Sequence, residues 1–167
     1  MSAIRVAILT LSDRCSRGET LDTSGPALAE LAQQKLSAQI IARECIPDDR
    51  AQIAQQLSTW CDAEVAPDLI LTTGGTGLSP RDITPEATLD VLERRHAGLM
   101  ELIRRRCYHK TPMAYLARGE AGTRGRTLII NLPGSRKGAT ESLEALLDVL
   151  PHAIATLRND PHSDDRT

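Results

Sequence analysis

Phenylalanine is absent, and aromatic residues make up only 2% of the 167-residue chain: one Trp and two Tyr. That scarcity excludes recognition of nucleic acid by stacked aromatic platforms. It also leaves Leu, Ile, Val and Ala to fill the core. No charge of one sign dominates. Twenty Lys and Arg against 22 Asp and Glu give a formal −2 and a pI near 6.1, so no general attraction to nucleic acid or to an anionic membrane is expected, and any polyanion site must be local. No apolar run approaches the roughly 20 residues that span a bilayer, and the opening MSAIRVAIL lacks a charged n-region and a cleavage site. The expected location is cytoplasmic. Cys15, Cys45, Cys61 and Cys107 are scattered, with no CxxC pair and no His at ligand spacing, which argues against a zinc site and a disulfide framework. They are expected to be reduced thiols, mostly buried.

What is present centres on Asp68 to Thr88, DLILTTGGTGLSPRDITPEAT. Leu69, Ile70 and Leu71 form a short apolar run of the kind that is buried on both faces of a parallel sheet. The strand ends in Thr73-Gly74-Gly75-Thr76-Gly77, where glycines permit positive φ and let backbone amides approach a bound anion. Thr84-Pro85-Glu86-Ala87 then supplies an N-cap hydroxyl, a proline at the first helical position and an acid in the first turn. The loop is neither a Walker A motif, since no Lys follows its last glycine, nor a spaced GxGxxG. Arg81-Asp82 adds a cation suited to phosphate and a carboxylate suited to Mg²⁺ at the strand's carboxyl end.

The rest of the chain repeats strand, loop and helix. Ile4 to Leu11 reads as a buried strand followed by a long polar loop, Ser12 to Gly25, and a helix carrying Leu28, Leu31, Ala32 and Leu36. Ala38 to Cys45 reads as a second strand. Ile53, Leu57, Trp60 and Cys61 then stripe a helix that one of Asp48 and Asp49 caps. Glu86 to Cys107 has helical patterning interrupted at His96-Ala97-Gly98, so two helices or a bend are expected. Residues 108 to 126 read as irregular apart from a short helix near Met113 to Ala117. Leu128, Ile129 and Ile130 make a fourth strand, and Leu143, Leu146, Leu147 and Leu150 stripe the last helix. The expected architecture is one domain over residues 1 to 158: an α/β fold in which a mainly parallel sheet lies in a three-layer α/β/α sandwich. The polar residues 159 to 167 read as a disordered tail.

Four loops follow the carboxyl ends of these strands, where parallel sheets collect ligands. Ser12-Asp13-Arg14, Asp48-Asp49, Gly74 to Asp82 and Pro133 to Lys137, with Gly134, Ser135 and Lys137 among them, should therefore line one crevice with amides, hydroxyls, carboxylates and cations, the inventory for a nucleotide phosphate with Mg²⁺. The alternative for Asp48 is a helix cap and for Asp82 a turn. Asp13 and Asp22 are of types that loops contain in any case. Ser135 and Lys137 are candidate phosphate contacts after a Pro-Gly turn.

TTGGTG followed by RDITPEA resembles the molybdopterin-binding family of molybdenum cofactor biosynthesis, on its adenylyltransferase branch. LTLSDRCSRGETLDTSGPAL, IPDD and NLPGSRKG are similar to the family's other blocks in order and spacing, so the resemblance covers about residues 4 to 158. It implies transfer of the adenylyl group of ATP to molybdopterin, with pyrophosphate as the second product and Mg²⁺ as cofactor. It also places the essential aspartate pair on Asp48 and Asp82, and implies a homotrimer with a molybdenum-insertion enzyme as possible partner. A noncatalytic pterin carrier of the same fold and a Mg²⁺-dependent nucleotide hydrolase stay as alternatives. Two departures stand out: Ala117 where the family commonly has serine, and Arg136 where it has proline.

Overall fold

The computed structural model describes residues 3 to 159. β1 (Arg5–Leu11) leads through a four-residue helix α1 (Asp13–Ser16) to α2 (Ser24–Leu36), and β2 (Gln39–Ile46) leads to α3 (Arg50–Cys61). β3 (Leu69–Thr73) is followed by α4 (Thr84–Leu89), a two-residue β4 (Arg94–Arg95) and α5 (Ala97–Cys107). A 3-10 turn, Pro112–Leu116, precedes β5 (Ala121–Arg124), β6 (Thr127–Leu132), α6 (Arg136–Glu144) and α7 (Leu150–Leu157). The sheet order is β2-β1-β3-β6-β5-β4, parallel across the first four strands and antiparallel at β6-β5 and β5-β4.

Alternation along the strands divides the core into two layers. Val6, Ile8, Leu69, Leu71, Leu128 and Ile130 face one side and pack with α2, α5, α6 and α7. Ala7, Leu9, Ile70 and Ile129 face the other and pack with Ile53 and Leu57 of α3 and with Ala87 of α4. This is the three-layer α/β/α sandwich expected from the sequence. No helix among the described residues is long and apolar enough to cross a membrane.

Several local expectations need correction. Residues 121 to 132 are a hairpin, not an irregular run ending in one strand, and the break near His96 contains the edge strand β4. Gly122 is what permits that edge, because a Cβ there would strike the Arg94 carbonyl oxygen of β4. The leucine stripe is split, with Leu143 in α6, Leu146 and Leu147 in the turn that follows and Leu150 opening α7, whose first turn holds Pro151. Of the cysteines only Cys107 is buried; the other three are half-buried, and burial pushes the Cys45 thiol up to about 12 and Cys61 up to about 11. The tail lies outside the described residues from 160 onward.

At the amino ends of the parallel strands Asp68, 3% exposed, joins three distant segments. It accepts from the Arg5 N–H (2.8 Å) and guanidinium, and from Arg158 Nε (2.9 Å) and Nη2 (2.6 Å) beyond α7. Burial alone would raise this carboxyl; the hydrogen bonds from Arg158 and Arg5 outweigh it and hold the group well below the usual carboxylate range. A carboxyl depressed in the folded state stabilises above its unfolded value of about 3.9, and that stabilisation is lost as pH falls through the folded value. Asp68→Asn should therefore cost about 2 to 4 kcal/mol in urea unfolding at pH 7. The gap from wild type should narrow as pH falls below about 4; a gap that is constant with pH would contradict this clamp.

Candidate functional site

The carboxyl ends of β1, β3 and β6 leave the sheet side by side. Gly74 has φ +109, and a Cβ on it would drive into the Leu11 carbonyl oxygen; its own N–H donates to Leu132 O at 3.2 Å. A Cβ on Gly134 would lie 3.1 Å from the Gly74 Cα. Thr73, fully buried, donates to Pro133 O (2.7 Å). Its hydroxyl ties two loops together, and it acts on the site as a support under the loop.

Asp13 and Asp48 bridge the exits of β1 and β2. Asp13 N–H donates to Asp48 Oδ2 (3.1 Å), and Asp48 N–H donates to Asp13 Oδ1 (3.0 Å). The other Asp13 oxygen pairs with Arg81. Asp49, not Asp48, caps α3 by accepting from Gln52 N–H (2.8 Å), so Asp48 keeps its second oxygen for other use. That oxygen, Oδ1, faces Gly75 at 3.1 Å from where a Cβ would stand. Burial pushes the Asp48 carboxyl above its ordinary value, and the Asp82 charge pushes it further. Asp82 Oδ2 in turn accepts from Ser79 N–H (3.0 Å).

Thr84 does not cap α4. Ile83 occupies the N-cap position, and the fully buried Thr84 hydroxyl has no hydrogen-bond partner. It borders the same small space beside Gly75 that Asp48 Oδ1 faces. The Asp48 carboxylate, whose ionisation burial and the Asp82 charge both oppose, lies beside this unbonded buried hydroxyl, and the donors are all oxygen. Mg²⁺ prefers such donors, commonly one or two carboxylates with waters and phosphate oxygens completing its shell. Asp48 and Asp82 could hold Mg²⁺ here, with the Thr84 hydroxyl beside Asp48.

Two cavities meet at Gly75 and Asp48. One, of 560 Å³, runs from Gly75, Thr76, Gly77 and Asp82 to Gly134 and Ser135, with Met100, Ile103, Met113 and Leu116 on its far side. The second, of 360 Å³, is lined by Ser12, Asp13, Arg14, Arg17, Asp48 and Arg81. An apolar slot thus adjoins a charged one. Ser12 and Ser135 also act as helix caps, accepting from Cys15 N–H (3.2 Å) and Gly138 N–H (3.1 Å). Lys137 is exposed on the first turn of α6 and lines neither cavity.

Residues 7–152 match the family model described as "Probable molybdopterin binding domain". The chain belongs to this molybdopterin-binding family of molybdenum cofactor biosynthesis. A molybdopterin adenylyltransferase of Helicobacter pylori is 41% identical over 155 residues, which is 92% of this chain and 88% of that protein. The crystal structure of the molybdopterin biosynthesis enzyme MoaB from Thermus thermophilus superposes with a TM-score of 0.88 at 53% identity, covering 95% of this chain and 98% of that one. The Drosophila melanogaster molybdenum cofactor synthesis protein cinnamon is 40% identical over 160 residues, but the chain spans only 26% of its length.

Within the molybdopterin-binding fold, Ala117, the departure noted above, lines the larger cavity, and its carbonyl accepts from Arg104 Nε (3.2 Å) and Nη2 (3.0 Å). Arg136 is exposed at the start of α6. Two functional groups were not read from the sequence. Thr84 carried the signature of a cap, and Arg118, which binds the glycine loop, sits in an LARG stretch that drew attention only to its alanine. Thr84→Val should leave the unfolding midpoint unchanged or raise it, since an unbonded buried hydroxyl only carries a desolvation cost. Affinity for Mg²⁺ with ATP, measured by calorimetry, should fall about two- to twelve-fold. Lost stability with unchanged affinity would make the hydroxyl a packing group.

Proposed function

We propose that this protein transfers the adenylyl group of ATP to molybdopterin, releasing pyrophosphate. The observation that carries the reading is the meeting of an apolar cavity and an arginine-lined one at Gly75, where Asp48 and the unbonded Thr84 hydroxyl converge, with Asp82 beside Gly77. The names of the relatives supply the substrates. The wall of Met100, Ile103, Met113 and Leu116 suits a flat pterin. Amides of Gly75 to Gly77 suit its terminal phosphate, the nucleophile, and hold it toward the α-phosphorus. Arg14 and Arg81 face the space for the departing pyrophosphate, and their fixed charge favours its loss. A Mg²⁺ held by Asp48, Asp82 and Thr84 would neutralise the triphosphate. Asp13 keeps Asp48 and Arg81 in place through its two oxygens.

The same reading places the protein in the cytoplasm and makes a molybdenum-insertion enzyme the receiver of its product. It also includes a homotrimer. Tyr108, Met113, Tyr115 and Leu116 are all at least half exposed, and the two tyrosines stack edge to face with ring centroids 5.7 Å apart. Such an apolar patch suits a contact between subunits. Light scattering should give three times the chain mass of 18.1 kDa at micromolar protein; a monomer would remove this part of the reading.

The whole protein, incubated with ATP, Mg²⁺ and molybdopterin, should yield a bound species with the mass of adenylylated molybdopterin and one pyrophosphate per product. Pterin bound without any ATP dependence would make it a carrier. ADP and phosphate formed without pterin would make it a hydrolase.

A further inference from the structure

Arg118 lies just past the 3-10 turn, and its main chain and side chain both reach back to the glycine loop. Its N–H donates to Thr76 O (2.8 Å), Nε to Gly77 O (2.8 Å) and Nη2 to Asp82 O (2.6 Å). The remaining face of the guanidinium pairs with the Glu86 carboxylate on α4. One planar fork therefore holds both ends of the loop segment from Gly77 to Asp82, and Glu86 fixes the plane of the fork. Asp82 is held twice: its carboxylate by the Ser79 amide and its carbonyl by Arg118. Both side chains of the Arg118–Glu86 pair are more than a third exposed, at 35% and 38%, so the pair itself adds little to stability. What it holds is the loop segment that carries Asp82, from Gly77 to Asp82 itself.

The pattern of bonds has a second consequence. Ala117 O, one residue earlier, accepts from Arg104 of α5, so a continuous series of hydrogen bonds runs from the apolar wall of the larger cavity through residues 117 and 118 to the acidic loop. Arg118 does not line either cavity. We propose that Arg118, oriented by Glu86, is a positioning residue that sets Asp82 for adenylyl transfer, an inference that rests on the reaction proposed above. Lysine cannot replace it, because a single ammonium cannot reach two carbonyls and a carboxylate in one plane.

Arg118→Ala and Arg118→Lys in the full-length protein should lower kcat on the order of 10²-fold, while KM for molybdopterin stays within about twofold. Their affinity for Mn²⁺, read by electron paramagnetic resonance without turnover, should fall about tenfold, and Glu86→Gln should shift both readouts in the same direction by less. In an Asp82→Asn background, Arg118→Ala should change the single-turnover rate less than about twofold, because the group it positions is already lost. Equal costs in both backgrounds, or unchanged Mn²⁺ affinity in Arg118→Ala, would overturn the proposal and leave Arg118 a structural staple. If wild type transfers no adenylyl group yet binds Mn²⁺, the reaction is wrong and the Mn²⁺ comparison alone decides the role of Arg118. If wild type does neither, both fall.

Discussion

Backbone meets backbone at the carboxyl ends of β1, β3 and β6, and the rest of the site follows from that approach. Gly74 leaves its strand at φ +109 against the Leu11 carbonyl, with Gly134 packed on its other side. A side chain at either position would spread the three exits. With them drawn together, loops that are 60 residues apart share a hydrogen bond from Thr73 to Pro133, and the residues immediately after each strand are forced into a common space. Strands β2, β1, β3 and β6 run parallel and leave the sheet at the same end, which makes that convergence general; the two glycines draw the exits close, and Asp48 and Thr84 both border Gly75.

The two ends of the sheet use carboxylates in opposite ways. At the amino ends Asp68 is buried between two arginines and held ionised, which ties the first strand, the third strand and the segment after α7 into one unit. At the carboxyl ends Asp48 is partly buried beside Asp82, and its ionisation is opposed. The first arrangement satisfies a charge and stabilises the fold; in the second no cation among the described residues pairs with Asp48, and the proposed Mg²⁺ would supply one. The arginines follow the same division. Arg5 and Arg158 are committed to the buried Asp68, whereas Arg14 lines an open cavity and Arg81 lines it while paired with Asp13.

Strands β1, β3 and β6 are legible because each is a short apolar run bounded by polar or glycine-rich residues, and the loops that follow them draw Asp82 and Gly74 to Gly77 into the candidate site; β2, with Arg43 and Glu44 inside it, is legible only by its place in the strand–helix order. The β5-β6 hairpin is not. Its first strand, Ala121 to Arg124, contains Gly122 and no apolar alternation, and the glycine that reads as a loop residue is required by the close Arg94 carbonyl. Spacing alone does not rank Asp48 and Asp49 as cap and ligand, since either carboxylate reaches the helix start; the family resemblance chose Asp48 as ligand, and the backbone geometry assigns the cap to Asp49. Arg118 was illegible for a similar reason: its acceptors are carbonyls 36 and 41 residues away, and carbonyls leave no trace in a sequence. Thr84 has the sequence of a cap and the surroundings of a ligand.

The account stands on the claim that Asp48 and Asp82 act together on the triphosphate and contribute little to the fold. Pyrophosphate release under saturating ATP and molybdopterin, measured for Asp48→Asn and Asp82→Asn beside wild type, tests it most directly. Both variants should keep the wild-type unfolding midpoint within a few degrees and lose on the order of 10²-fold or more in rate. Wild-type release from either folded variant would contradict the account.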